Sequence, residues 1–140
     1  MGKKRSVKIV GSLEKSIIKK WILEEPEDIR IYQSMGLYKH IFKHIEEYSS
    51  IDSANYTMDH IEDVIANPEY VSYNPKQNSI EYYKTLLELV SVVVQTDDDG
   101  LLYVASVYPV TETKINNRKA KEESIISQRL LEKYRYKQPV

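Results

Sequence analysis

The stretch Leu89-Val90-Ser91-Val92-Val93-Val94-Gln95-Thr96, then Asp97-Asp98-Asp99-Gly100, then Leu101-Leu102-Tyr103-Val104-Ala105-Ser106-Val107-Tyr108-Pro109-Val110 decides the fold. Two runs rich in β-branched and aromatic residues flank an Asp-Gly pair, the composition of a β-hairpin. A two-residue Asp99-Gly100 loop would pair Thr96 with Tyr103, Val94 with Ala105 and Val92 with Val107. Side chains alternate along a strand, so Val90, Val92, Val94, Tyr103, Ala105 and Val107 then share one apolar face, which should lie under helices. Ser91, Val93, Gln95, Val104, Ser106 and Tyr108 form a more polar face.

Upstream, Tyr70–Tyr73, closed by Asn74-Pro75, and Ile80–Leu86 read as two further strands. With Leu87-Glu88 as the next turn, Tyr82 falls opposite Val93 and Lys84 opposite Ser91, on the polar face with Ser106 and Tyr108. A slip of one residue would reverse that placement. Further upstream the apolar spacing becomes helical. Leu13–Leu23 follows Ser12 as an N-cap, Gly36–Tyr48 carries the stripe Leu37, Ile41, Ile45 and Tyr48, and a third helix is capped by Thr57 and ended by Asn67-Pro68. Asp28–Gln33 reads as a short strand, and Lys114–Tyr134 returns to helical composition. The expected architecture is α+β: N-terminal helices packed on a four-stranded antiparallel meander sheet, with a C-terminal helix.

The chain has 140 residues with formal net charge −1, which suits one domain spanning 1–140. It contains no cysteine, so disulfides, Cys-ligated zinc, iron–sulfur clusters and thiol nucleophiles are excluded, and a reducing, cytoplasmic setting is favoured. No apolar run is long enough for a membrane span, and the basic residues Lys3-Lys4-Arg5 lead into no apolar signal core. Charge is unevenly placed. Residues 1–21 carry seven bases against one acid, residues 40–112 three against thirteen, and residues 114–140 eight against three. Basic ends can embrace a polyanion or can simply be solvated helix faces; overall neutrality argues against a duplex-coating protein.

His40 and His44 stack four apart on the second helix, flanked by Lys39 and Lys43. An imidazole titrates near neutrality, which suits general acid or base work, although two edge histidines making structural hydrogen bonds is the commoner arrangement. A zinc site would need a third ligand, and none is evident; His60 reads as structural. Twelve tyrosines against one Phe and one Trp supply rings for stacking or strand packing, and Tyr82 and Tyr108 stand out by their assigned face.

Gly36-Leu37-Tyr38-Lys39-His40-Ile41-Phe42-Lys43-His44, Ile65-Ala66-Asn67-Pro68-Glu69-Tyr70-Val71, Asn74-Pro75-Lys76, Asn78-Ser79-Ile80-Glu81 and Leu102-Tyr103-Val104-Ala105-Ser106-Val107-Tyr108 occur in that order. This set resembles the phage-associated nuclease domains of the barnase–EndoU–colicin–RelE-like fold, over residues 7–125, with 126–140 a basic helix or tail. The resemblance implies metal-independent RNA cleavage with no cofactor, residence on phage or mobile elements, and, for a toxin-like protein, a neutralising protein partner. It maps the family's helix histidines to His40 and His44, its basic strand position to Lys84 and its late hydroxyl to Ser106 or Thr111. Lys114 to Arg118 resembles its basic stretch after the last strand. A proline commonly follows the second histidine in the family; Ile45 stands there instead. On this reading His40, His44, Lys84 and Ser106 are catalytic, and Lys39, Lys43, Tyr82, Tyr108, Thr111, Lys114 and Arg118 bind substrate. His40 and Lys84 are expected to meet over one anion-sized hollow. A non-catalytic RNA-binding module and a protein-interaction module of the same fold are the competing readings.

Overall fold

The computed structural model describes residues 7–15, 17–18, 28–34, 36–120 and 124–127. Strands β1 (Val7–Ser12) and β2 (Arg30–Ser34) precede helix α1 (Gly36–Lys43) and a short 3-10 turn, Ile45–Glu47. Helices α2 (Ile51–Asp59) and α3 (Ile61–Ala66) lead into strands β3 (Tyr70–Asn74), β4 (Ser79–Thr85), β5 (Leu89–Thr96) and β6 (Leu102–Pro109). Helix α4 (Glu112–Ala120) and strand β7 (Ser124–Ser127) complete the order. The seven strands among the described residues join one sheet, β1-β2-β6-β5-β4-β3-β7.

This corrects the expected architecture. The sheet is mixed, because β2 pairs parallel with β6, and it exceeds four strands at both edges. The first described element is a strand rather than a helix, and Ser12 ends β1 instead of capping a helix. Most of the helix expected over Leu13–Leu23 lies outside the described residues, as does most of the tail; Leu13 and Ile17 are buried. The 114–134 helix ends at Ala120, and Ser124–Ser127 pairs with β3. Thr57 sits inside α2, wholly buried, its hydroxyl donating to the Ser53 carbonyl at 2.8 Å, while Ser50 provides the cap by accepting from the Ser53 amide.

Helices α1–α3 cover one face of the sheet. Their buried residues Leu37, Ile41, Met58, Ile61 and Val64 share a core cluster with Ile31, Val90, Val92, Val94 and Val104 from the strands. Each such aliphatic side chain contributes about 1.5–3 kcal/mol through burial. Strand β1 approaches α3 closely enough that a Cβ on Gly11 would lie 2.7 Å from Ile65 Cγ2, so glycine is needed there.

The chain crosses the opposite, far face between β6 and β7. These two strands run in the same direction with β5, β4 and β3 between them, a span of roughly 19 Å at the usual strand spacing. Helix α4 begins this crossing: Lys114 Nζ lies 4.8 Å from the centre of the Tyr108 ring, and Ile115 is wholly buried outside the main core cluster. Both faces of the sheet are thus covered in part.

Candidate functional site

Two turns decide which side chains reach which face. The loop joining β5 to β6 runs from Asp97 to Leu101, an odd number of residues, and pairs Thr96 with Leu102. Asp97 Oδ1 holds it by accepting the amides of Asp99 and Leu101 at 2.9 Å each, and Gly100 takes φ +81°. Leu102 and Val104 therefore point into the core and Tyr103 to the far face, the reverse of a two-residue loop. A bulge at Ala105 then restores the phase, so that Ser106 pairs with Val93 and Val107 with Val92.

The β4–β5 turn, Leu86 to Glu88, is also odd, and no bulge compensates it. Lys84 pairs with Val90 and Tyr82 with Val92, on the α1–α3 face. Glu88 fixes this turn. Its Oε2 accepts from the Ser49 amide and hydroxyl, both at 2.9 Å, and from the Ser53 hydroxyl at 2.5 Å, tying the turn to the start of α2. Burial would raise the Glu88 pKa, but these hydrogen bonds outweigh it and hold the carboxyl below the ordinary glutamate range.

Tyr82 is consequently buried in the helical core and cannot stack on a ligand; burial first, then the Glu14 charge, pushes its phenol well above the usual range. Lys84 Nζ donates to the Asn67 carbonyl at 2.7 Å and lies 3.9 Å from Asp63, capping the end of α3. No hydrogen bond or ion pair among the described residues joins it to His40. Ser106 and Tyr108 lie across the sheet from Lys84. The shared face of Tyr82, Lys84, Ser106 and Tyr108 does not form, and the reason is the single-residue turn difference.

His40 and His44 do come together. Their ring centroids are 5.3 Å apart on the exposed side of α1, whose Lys39 and Lys43 are exposed as well. His44 Nδ1 is 2.7 Å from Glu47 Oε2, with both side chains about half exposed. A carboxylate only accepts, so Nδ1 carries the hydrogen and Nε2 of the neutral ring is left as an acceptor. The short 3-10 turn that ends the expected helix early is what brings Glu47 back to His44. His60 stacks on Tyr56 at 3.9 Å, and its Nδ1 lies 2.6 Å from the Tyr56 carbonyl, a structural setting.

The far face holds a cluster that the sequence reading missed. Glu81 Oε2 accepts from three hydroxyls: Ser91 at 2.9 Å, Tyr108 at 2.9 Å and Tyr83 at 3.0 Å. Tyr83 in turn lies 2.9 Å from Ser72 Oγ and, having donated to Glu81, accepts from it. Glu81, Tyr83, Ser91 and Ser72 are buried. Burial, then the charge and hydrogen bond of Glu81, pushes the Tyr108 phenol well above its ordinary range. Thr111 caps α4 by accepting the Lys114 amide at 3.2 Å, which sets Lys114 over Tyr108. Arg118 lies on α4, four residues after Lys114. One signal was available: a glutamate in the middle of a strand, where acids are depleted, needs a reason. Among the described residues, no three His, Cys, Asp or Glu gather as a metal-binding set. No helix among the described residues is long and apolar enough to cross a membrane.

The mixed sheet thus carries an imidazole pair at the C-terminal end of α1 and a carboxylate–hydroxyl cluster on its far face. The family described as phage-Barnase-EndoU-ColicinE5/D-RelE like nuclease3 matches residues 7–117, and the chain belongs to it. No curated protein and no solved structure matches the chain.

Proposed function

We propose that this phage-type nuclease domain cleaves RNA without a metal ion, with His40 and His44 as its acid–base pair. The carrying observation is the orientation of His44 by Glu47 at 2.7 Å, beside His40 and between exposed lysines. His44 Nε2 takes the proton from a 2′-hydroxyl, whose oxygen bonds to the adjacent phosphorus. The phosphorus–5′-oxygen bond breaks, and protonated His40 supplies the proton to the leaving oxygen, giving a 2′,3′-cyclic phosphate and a free 5′-hydroxyl. Lys39 and Lys43 offset the phosphate charge. Glu47 acts as a positioning residue. Lys84 and Ser106 have no part in this step, because α3 engages the first and the sheet separates the second from α1.

The test is cleavage of a labelled RNA with chelator present. His44→Ala and His40→Ala should each lower the rate by about 10²–10⁴-fold. Wild-type rates in both variants would remove the pair from the mechanism. A second reading places the chemistry at Glu81, favoured by the three hydroxyls converging on one oxygen near Lys114. Loss of cleavage in Glu81→Gln, with both histidine variants fully active and all proteins folded, would select it. A toxin-like role with a neutralising protein partner predicts poor growth on expression of the wild type, relieved by His44→Ala; equal growth of both strains would remove that role.

A further inference from the structure

The imidazoles of His40 and His44 have a capacity that acid–base chemistry does not use. Their ring centroids stand 5.3 Å apart, with the rings tilted by 60°, on the exposed side of α1. A metal ion about 2.0–2.1 Å from an imidazole nitrogen lies about 3.2 Å from the centre of that ring, so a tetrahedral angle at the ion sets two ring centres roughly 5.2 Å apart. The two rings thus stand at the separation of a chelating pair.

His44 is oriented as a ligand. Its Nδ1 hydrogen goes to Glu47 Oε2 at 2.7 Å, which leaves the Nε2 lone pair on the side of the ring away from that carboxylate. A carboxylate behind the ring is the usual support of a metal-ligating imidazole, because it fixes the tautomer and raises the basicity of the other nitrogen. His40 makes no hydrogen bond or ion pair among the described residues, so its ring can turn either nitrogen to the same point. Both rings are exposed, so an ion reaches them from solvent and water completes its coordination. Imidazole suits borderline divalent ions such as zinc, nickel and copper(II), whereas magnesium and calcium take oxygen ligands. Lys39 and Lys43 oppose a cation here, and Glu46 and Glu47 on the turn that follows offset them. A structural zinc takes four protein ligands, and no third side chain joins the pair among the described residues, so binding here is reversible.

We propose that His40 and His44 form a reversible two-imidazole site for a borderline divalent transition ion, zinc being the test case, with Glu47 as its positioning residue. Its consequence for activity rests on the acid–base reading above. An ion on His44 Nε2 takes up the lone pair that would accept the 2′-hydroxyl proton, and an ion on His40 displaces the proton due to the leaving oxygen. Zinc binding and RNA cleavage then exclude each other.

The test is titration of the whole chain with zinc chloride and, separately, magnesium chloride, followed by calorimetry and by the histidine ring resonances. Zinc should shift or broaden the resonances of His40 and His44 and leave those of His60, whose Nδ1 is held by the Tyr56 carbonyl; magnesium should move none of them. Glu47→Ala should weaken zinc binding by about tenfold, and Glu47→Gln, which keeps an acceptor, by less. His40→Ala and His44→Ala should each weaken it by more than Glu47→Ala, and His60→Ala should leave it unchanged. Zinc should slow wild-type RNA cleavage over the concentrations that load the pair, and excess chelator should restore the rate. Zinc binding that survives both histidine variants, or equal responses to zinc and magnesium, would overturn the site. Zinc loaded on both rings with cleavage undiminished would keep the site and remove the pair from catalysis. No zinc binding, with cleavage lost in both histidine variants, would do the reverse.

Discussion

Tyr82 and Tyr83 are neighbours in β4, both essentially inaccessible, and they point to opposite faces of one sheet. Tyr82 enters the helical core, where its hydroxyl has no hydrogen-bond partner among the described residues. Tyr83 enters the far face, where its hydroxyl links Ser72 to Glu81. One face is held by apolar contact and tolerates a stray polar atom. The other gathers its polar atoms around a single carboxylate. Burial alone therefore does not distinguish the two faces; the fate of each buried oxygen does.

The largest effect expected from this contrast belongs to Glu81→Ala. It leaves three buried or half-buried hydroxyls without their acceptor and should cost about 3–5 kcal/mol in denaturant unfolding. A loss under about 1 kcal/mol would show that the cluster adds little to folding. Tyr83→Phe removes one donor and one acceptor from the same cluster and should cost about 1–2 kcal/mol. Tyr82→Phe, one residue away, deletes an unpartnered hydroxyl and should leave stability unchanged or raised by up to about 1 kcal/mol. If the two Tyr→Phe variants proved equal, the contrast between the faces would fail.

The smallest effect concerns pH. Glu88 has a depressed folded-state pKa, so the folded chain holds fewer protons there than the unfolded chain. Its contribution is fully present above the ordinary glutamate range and is lost as pH falls through the folded value. Glu88→Gln should therefore unfold more readily than the wild type at neutral pH, with the difference shrinking in acid. A difference that grows in acid would contradict the linkage. Glu88 is partly buried at the protein surface, where solvent still screens it, so the effect should stay near or below about 1 kcal/mol.

Much of the strand content could be read from the sequence, because Leu89–Thr96 and Leu101–Val110 carry dense β-branched and aromatic residues. The faces could not be read with the same security. Composition locates a turn, but a face depends on whether the turn holds an odd or even number of residues. Asp99-Gly100 advertises a two-residue loop, yet Asp97 bonds across to Leu101 and widens it. Leu87-Glu88 gives no turn signal of its own; its geometry is imposed by Ser49 and Ser53, about 35 to 39 residues earlier in the chain. The edge strands were harder still. Val7–Ser12 and Ser124–Ser127 are short, and nothing local marks them; they exist because β2 and β3 offer unpaired edges. The histidine pair was legible because i and i+4 adjacency is a property of any helix, whereas the partner Glu47 depended on where that helix stopped.

The widened Asp97–Leu101 loop and the extra residue at Ala105 have opposite signs in the arithmetic of the hairpin. Deleting Ala105 would make Val104 and Ser106 consecutive, still opposite Val94 and Val93, so the ladder would run without a bulge and no side chain would change face. A bulge is thus the place where this strand can lose a residue at no cost in pairing, whereas a change at the tip falls on the turn that Asp97 holds together.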